Sequence, residues 1–101
     1  MDAVEVRVRG AALRWESDDF PGWIRVSIPD SERNEHLVVE KVPVLTSDTI
    51  TAEGPFPMEL WVAAQALSVA DGKVEVALSH DVETEVGERL LTVLATDVIW
   101  L

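Results

Sequence analysis

Residues Leu60 to Leu78, LWVAAQALSVADGKVEVAL, decide the fold class. At their centre stands Asp71-Gly72, between two runs that alternate or nearly alternate apolar and polar residues. An Asp-Gly pair at such a place is a strong hairpin signal, because a type I′ turn needs positive φ at both central residues. With the turn placed there, Ala70 pairs with Lys73, Val69 with Val74, Ser68 with Glu75, Leu67 with Val76 and Ala66 with Ala77. Leu67, Val69, Val74, Val76 and Leu78 then share one face. Ala64, Ala66, Ser68, Glu75, Ala77 and Ser79 share the other. This is the split of a half-buried antiparallel pair, and a one-residue slip would mix the faces.

A helix over Pro57 to Ala70 is the competing assignment. Pro57 suits a first helical position, Glu59 suits the positive helix N-terminus, and the alanines favour helix. Strand is preferred because one hairpin accounts for both runs. Gln65 on an apolar face and the change of sides at Leu60 and Val62 argue for a bulge near Ala63.

Working outward, Val4 to Arg9 alternates strictly, with Val4, Val6 and Val8 inward. Beyond Gly10 the apolar parity moves to Leu13 and Trp15, so Gly10 reads as a bulge or bend. Glu16 to Gly22 is an acidic turn. Trp23 to Ile28 is a second strand with Ile24, Val26 and Ile28 inward and Trp23 on the less buried side. His36 to Val44 is a third, with Leu37 and Val39 inward and Pro43 marking an edge. These two strands form a second hairpin. Leu45 to Glu53 is ambiguous between a short strand and a turn, and Gly54-Pro55-Phe56-Pro57 is an extended connector. His80 to Glu88 is a loop or charged edge strand. Arg89 to Leu101, apolar on both faces, reads as one central strand covered on both sides. The sum is a single mainly β domain over 1–101: an antiparallel β-sandwich or small barrel of about seven strands with at most one short helix.

The chain has 101 residues, 48% of them hydrophobic and 27% charged, which is ordinary globular composition. It has no cysteine, so disulfides and thiolate chemistry are excluded. Its start shows no secretory signal, and no apolar run reaches the roughly 20 residues of a membrane-spanning helix. A cytoplasmic home is expected. The formal charge is −11, and from Thr51 onward only Lys73 and Arg89 oppose nine acids. Such a surface repels nucleic acid and anionic membrane and attracts basic proteins. Scarce lysine beside abundant alanine, valine and arginine fits a GC-rich bacterial genome.

Few residues suggest chemistry. His36 and His80 each adjoin an acid, Glu35 and Asp81, but lack further ligands at metal spacing. Asp30, Glu32, Asn34 and Glu35 faintly resemble a calcium loop, yet Glu35 and Lys41 stand where glycine and glutamate are required. None of Ser17, Ser27, Ser31, Ser47, Ser68 and Ser79 lies in a nucleophile elbow, and the five glycines are isolated. Neither enzyme activity, cofactor nor metal is expected. Trp61 and Trp100 read as core. Trp15 and Trp23 flank Glu16, Asp18, Asp19 and Phe20, an aromatic rim around carboxylates. That combination suits a hot spot for a basic partner.

Three functions follow as expectations. The first is a non-catalytic protein-binding module, of the immunity-protein or antitoxin type, docking a basic protein through Trp15, Glu16, Asp18, Asp19, Phe20 and Trp23 together with Asp30, Glu32 and Glu35, or with Asp81 to Glu88 as the second acidic stretch. The second is a structural subunit that pairs sheet edges as a homodimer. The third is a small-ligand or sugar-binding barrel with Gln65 and Asp97 as interior contacts.

Overall fold

Asp71 and Gly72 have φ of +56° and +74°, the positive pair of a type I′ turn, and they join two antiparallel strands as the sequence predicts. The structure is a computed structural model describing residues 3–101. Its strands are β1 (Val4–Ser17), β2 (Trp23–Pro29), β3 (Glu35–Lys41), β4 (Met58–Ala70), β5 (Lys73–Leu78), β6 (Leu90–Leu94) and β7 (Val98–Trp100). A helical turn, α1 (Val42–Leu45), follows β3, and a 3-10 turn (Ala95–Asp97) separates β6 from β7. The strands form an antiparallel sheet in the order β3-β2-β1-β4-β5-β6, with β7 also paired to β1. It curls into a half-barrel. Among the described residues no helix is long and apolar enough to cross a membrane.

In the central hairpin, Ala70–Lys73, Val69–Val74 and Ser68–Glu75 pair as the turn dictates. Leu67 is then skipped, so Ala66 faces Val76, Gln65 faces Ala77 and Ala64 faces Leu78. The bulge therefore lies at Leu67 rather than near Ala63, and the expected Leu67–Val76 and Ala66–Ala77 pairs do not form. Its effect is to place Leu60, Val62, Ala64 and Ala66 on the buried face with Val74, Val76 and Leu78, while Gln65 turns to solvent. Without it Leu60 and Val62 would face outward, at about 1.5–3 kcal/mol for each side chain. The alanines that mimic a helix serve the curl instead. Across β1 and β4 the inward pairs are Val4–Ala66, Val6–Ala64, Val8–Val62, Gly10–Leu60 and Ala12–Met58. All but one set a small residue against a larger one, which lets the two strands' side chains interdigitate on the concave face.

Gly10 is not a bulge. Its pairing with Leu60 is regular, and Val6, Val8, Gly10 and Ala12 keep one buried parity. A Cβ at this position would lie 3.1 Å from Val26 Cγ1 and 3.2 Å from the Ser27 carbonyl oxygen. Glycine thus permits the close approach of β2. The parity change falls later, at bulges around Leu13 and Glu16 in the pairing with β2. Leu13, expected inward, is half-exposed there, and Val4 likewise stands partly in solvent at the strand's start.

Ile24, Val26 and Ile28 are fully buried as expected. β3 has the opposite parity to expectation. Val38, paired with Val26, is buried, whereas Leu37 and Val39 are only partly covered. Three successive apolar residues carry no parity signal, and the loop after β5 covers part of the outer side: the Glu85 N–H donates to the Leu37 carbonyl at 2.8 Å. β3 is an edge strand, but it ends at Lys41, and Pro43 lies in the first turn of α1. Residues 46–57 form no strand.

The closing segment also differs from expectation. It is not one central strand. It breaks at Ala95–Asp97, where the Ala95 N–H donates to the Gly72 carbonyl at 2.8 Å. β6 sends Leu91 and Val93 inward beside β5, and β7 crosses to pair with the first half of β1. Each half is covered on one side only, so Leu90, Ile99, Trp100 and Leu101 remain exposed. Across the open side of the curl, the Ser31 N–H donates to the Thr92 carbonyl at 2.7 Å, linking the β2–β3 tip to β6.

One edge of β4 is completed by side chains. β5 pairs with β4 only from Ala64 onward. Nearer the start of β4, the Thr46 hydroxyl donates to the Trp61 carbonyl at 2.7 Å and the Trp61 N–H donates to Asp48 Oδ2 at 2.8 Å. Two polar side chains thereby supply what a neighbouring strand would supply.

Candidate functional site

The residues expected to form one acidic face lie at opposite ends of β2. Its seven residues separate the β1–β2 tip from the β2–β3 tip by roughly 20 Å. They are two sites in space, and their carboxylates are in different states.

At the β1–β2 tip the Gly22 N–H closes the turn onto the Asp19 carbonyl at 2.6 Å. Gly22 has φ +86° and lies beneath the Trp15 ring, where a Cβ would come within 2.8 Å of the indole. Trp15 is therefore not a rim residue. Its ring packs edge-on to Phe56 with centroids 6.5 Å apart and borders the core, and its N–H donates to the Ala52 carbonyl at 3.1 Å. Phe20 is 99% exposed. Asp18 and Asp19 beside it are exposed and make no ion pair among the described residues. Trp23 stands on the outer face, as expected, with the Lys41 ammonium 5.4 Å from its ring centroid.

Glu16 is committed. The Arg25 guanidinium donates to it at 2.5 Å, and Arg14 stands 3.3 Å away. That hydrogen bond from Arg25 holds the Glu16 carboxyl below its ordinary range. Arg25 also reaches Glu85 at 2.5 Å, so it ties β1, β2 and the 79–89 loop together. Its own pKa is raised, first by Glu16.

At the β2–β3 tip Asp30 organises the turn. Its Oδ1 accepts the N–H groups of Glu32 and Asn34 at 2.8 and 2.9 Å, and its Oδ2 lies 2.8 Å from His36 Nε2. The hydrogen bond with His36, aided by the backbone donors, pushes the Asp30 carboxyl down to about 2. Glu88 stands 3.8 Å from the other imidazole nitrogen. Glu35 accepts a hydrogen bond from the Ser27 hydroxyl. Of the acids expected here, Glu32 is exposed and makes no ion pair among the described residues, whereas Asp30 and Glu35 serve the fold.

The other candidates separate in the same way. No group of three His, Cys, Asp or Glu residues is arranged to hold a metal ion among the described residues. His36 and His80 line different clefts. Gln65 is exposed, and Asp97 lies in the 3-10 turn, 3.7 Å from Arg9. Gln65 does not reach the interior, and the Asp97 side chain, 17% exposed, is largely covered and paired with Arg9. Trp61 is partly covered, with Arg9 stacked 5.4 Å from its ring centroid, and Trp100 is 45% exposed rather than in the core. A comparison of the chain with protein-family models, with curated proteins and with solved structures finds no match.

Of the residues expected to contact a partner, Asp18, Asp19 and Phe20 form an exposed, uncommitted cluster with Trp23 at its margin. Sequence reasoning missed the division between acids that hold turns and acids that face water. Signals for part of it were present. Asp30 precedes a turn, where an aspartate caps its own backbone, and Arg25 is the one cation on the outer face of β2.

Proposed function

We propose that this chain is a non-catalytic protein-binding module whose contact is the tip of the β1–β2 hairpin. The observation that carries the reading is Phe20, 99% exposed beside two carboxylates, Asp18 and Asp19, that make no ion pair among the described residues. A fully solvated phenylalanine gains nothing for the fold, and aromatic anchors are the side chains that interfaces bury at their centres. The adjoining acids favour a basic partner, and the charge of −11 speeds encounter with one. An immunity-type or antitoxin-type inhibitor that occludes a cationic site fits this chemistry.

The test is affinity capture from the native lysate with the intact chain and with D18N/D19N/F20A. A basic protein held by the intact chain, released by salt and lost with the triple variant supports the reading. Equal capture by both chains refutes it.

Self-association is the second reading, and the edge of β7 favours it. This three-residue strand pairs with β1 and leaves Ile99 and Trp100 exposed. Sedimentation equilibrium across concentration decides it: a monomer throughout excludes it, and dimerisation abolished by I99E supports it.

A further inference from the structure

A concavity separate from the hairpin tip lies on the outer side of the sheet. It is a cleft of about 440 Å³ between β1, α1 and the turn after β5, within the size range of small-molecule sites. Its floor is Ala63, and Val42, Pro43 and Val44 form an apolar wall. Ser47 and Asp48 continue the rim, and Arg7 and His80 enter from the other two elements.

The polar groups are unequally occupied. The Arg7 side chain is 23% exposed, and its Nη1 contacts the Val6 carbonyl at 3.2 Å and the outlying Glu5 carboxylate at 3.3 Å. Its Nε and Nη2 make no hydrogen bond to the described residues. A guanidinium with one free edge matches the two oxygens of a carboxylate. The pair with Glu5 is a surface contact that a ligand can displace. His80 supplies a ring N–H and Ser47 a hydroxyl. His80 and Asp81 are consecutive non-glycine residues at φ +60° and +59°. Left-handed backbone in such residues costs energy that its surroundings must offset, and it concentrates at ligand sites. Asp48 opposes an anion, although one of its oxygens is already engaged by the Trp61 N–H.

We propose that this cleft binds a small aliphatic monocarboxylate, its carboxylate on Arg7 and His80 and its hydrocarbon against Val42, Pro43 and Val44. The site is independent of the hairpin tip. The test is NMR titration of the intact, isotopically labelled chain with hexanoate, acetate, inorganic phosphate and hexylamine at constant ionic strength. Hexanoate is expected to give saturable shifts at Ala63, Ser47 and His80. Acetate and phosphate should bind at least about fivefold more weakly, because neither covers the apolar wall. R7M keeps the aliphatic stem and should weaken hexanoate about tenfold. H80Q should weaken it about threefold, which keeps the test decisive if R7M does not fold. D48N keeps an oxygen acceptor for Trp61 and should tighten hexanoate a few fold by removing the opposing charge. Absence of saturable shifts, unchanged binding in folded R7M or in H80Q, acetate or phosphate equal to hexanoate, or hexylamine binding as tightly as hexanoate would each overturn the proposal.

Discussion

Replacing Thr46 by valine tests the side-chain completion of β4. Valine keeps the shape of threonine and removes only the hydroxyl, so no cavity is made. In the native chain that hydroxyl donates to the Trp61 carbonyl at 2.7 Å and accepts the Asp48 N–H at 3.0 Å, on a residue only 7% exposed. Asp48 is exposed, so water can replace its lost bond. The part-buried Trp61 carbonyl, by contrast, loses the donor that Thr46 supplies. Leaving one such group unsatisfied costs about 1–3 kcal/mol. With a urea dependence of about 1–1.5 kcal/mol per molar, the unfolding midpoint should fall by about 0.7–3 M. T46S keeps the hydroxyl and loses one methyl, about 0.8 kcal/mol. The assay is urea unfolding followed by tryptophan fluorescence, with hydrogen exchange at the Trp61 amide as a local probe. If T46V stays within about 0.5 kcal/mol of the native chain, the usual scatter of surface changes, or if T46S is as costly, the edge does not depend on this hydroxyl.

Three further outcomes are expected. Asp30 titrates at about 2 in the folded chain against an ordinary 3.8. Its stabilisation is thus present above pH 3.8 and lost as pH falls toward 2, with a ceiling of about 2.5 kcal/mol. Acid unfolding of D30N should lack that component, and an unchanged acid limb would refute it. G10V should destabilise by about 2–3 kcal/mol, because a branched side chain meets Val26 and the Ser27 carbonyl oxygen. A thermal midpoint equal to that of the native chain would show that β2 yields. F20A should change stability by less than about 0.5 kcal/mol while abolishing partner capture, and a large loss of stability would mean that Phe20 serves the fold.

The strands around strong local signals were legible. Asp71-Gly72 set its turn, and Ile24, Val26 and Ile28 set the inward face of β2. Errors arose where the pattern underdetermines the face or a distant element intervenes. Leu37-Val38-Val39 has no alternation to read, so only its pairing with β2 and the cover from the 79–89 loop decide its parity. The two-sided run from Leu90 to Leu101 looked like a central strand because two half-covered strands in tandem, facing different neighbours, leave the same composition. Gly10 signalled irregularity, but the approach of Val26 and Ser27 that requires it is a tertiary fact. At the candidate site, residue types marked the hairpin tip. Only geometry separated Asp18 and Asp19 from Glu16 and Asp30, whose charges are bound by Arg25 and by His36 with its backbone donors.

The pairing of β7 with β1 bears on how the chain reaches its fold. Val8 and Val98 are partners some ninety residues apart in sequence, whereas the β4–β5 hairpin closes across a two-residue turn. The entropy of closing so large a loop must be overcome before that contact returns anything. Local hairpins should therefore organise first, and the edge of β1 from Val6 to Val8 should stay open until residues 98–100 arrive. During synthesis that edge waits some ninety residues for its partner, so the interval before β7 docks is when strand addition by another molecule competes most effectively with folding.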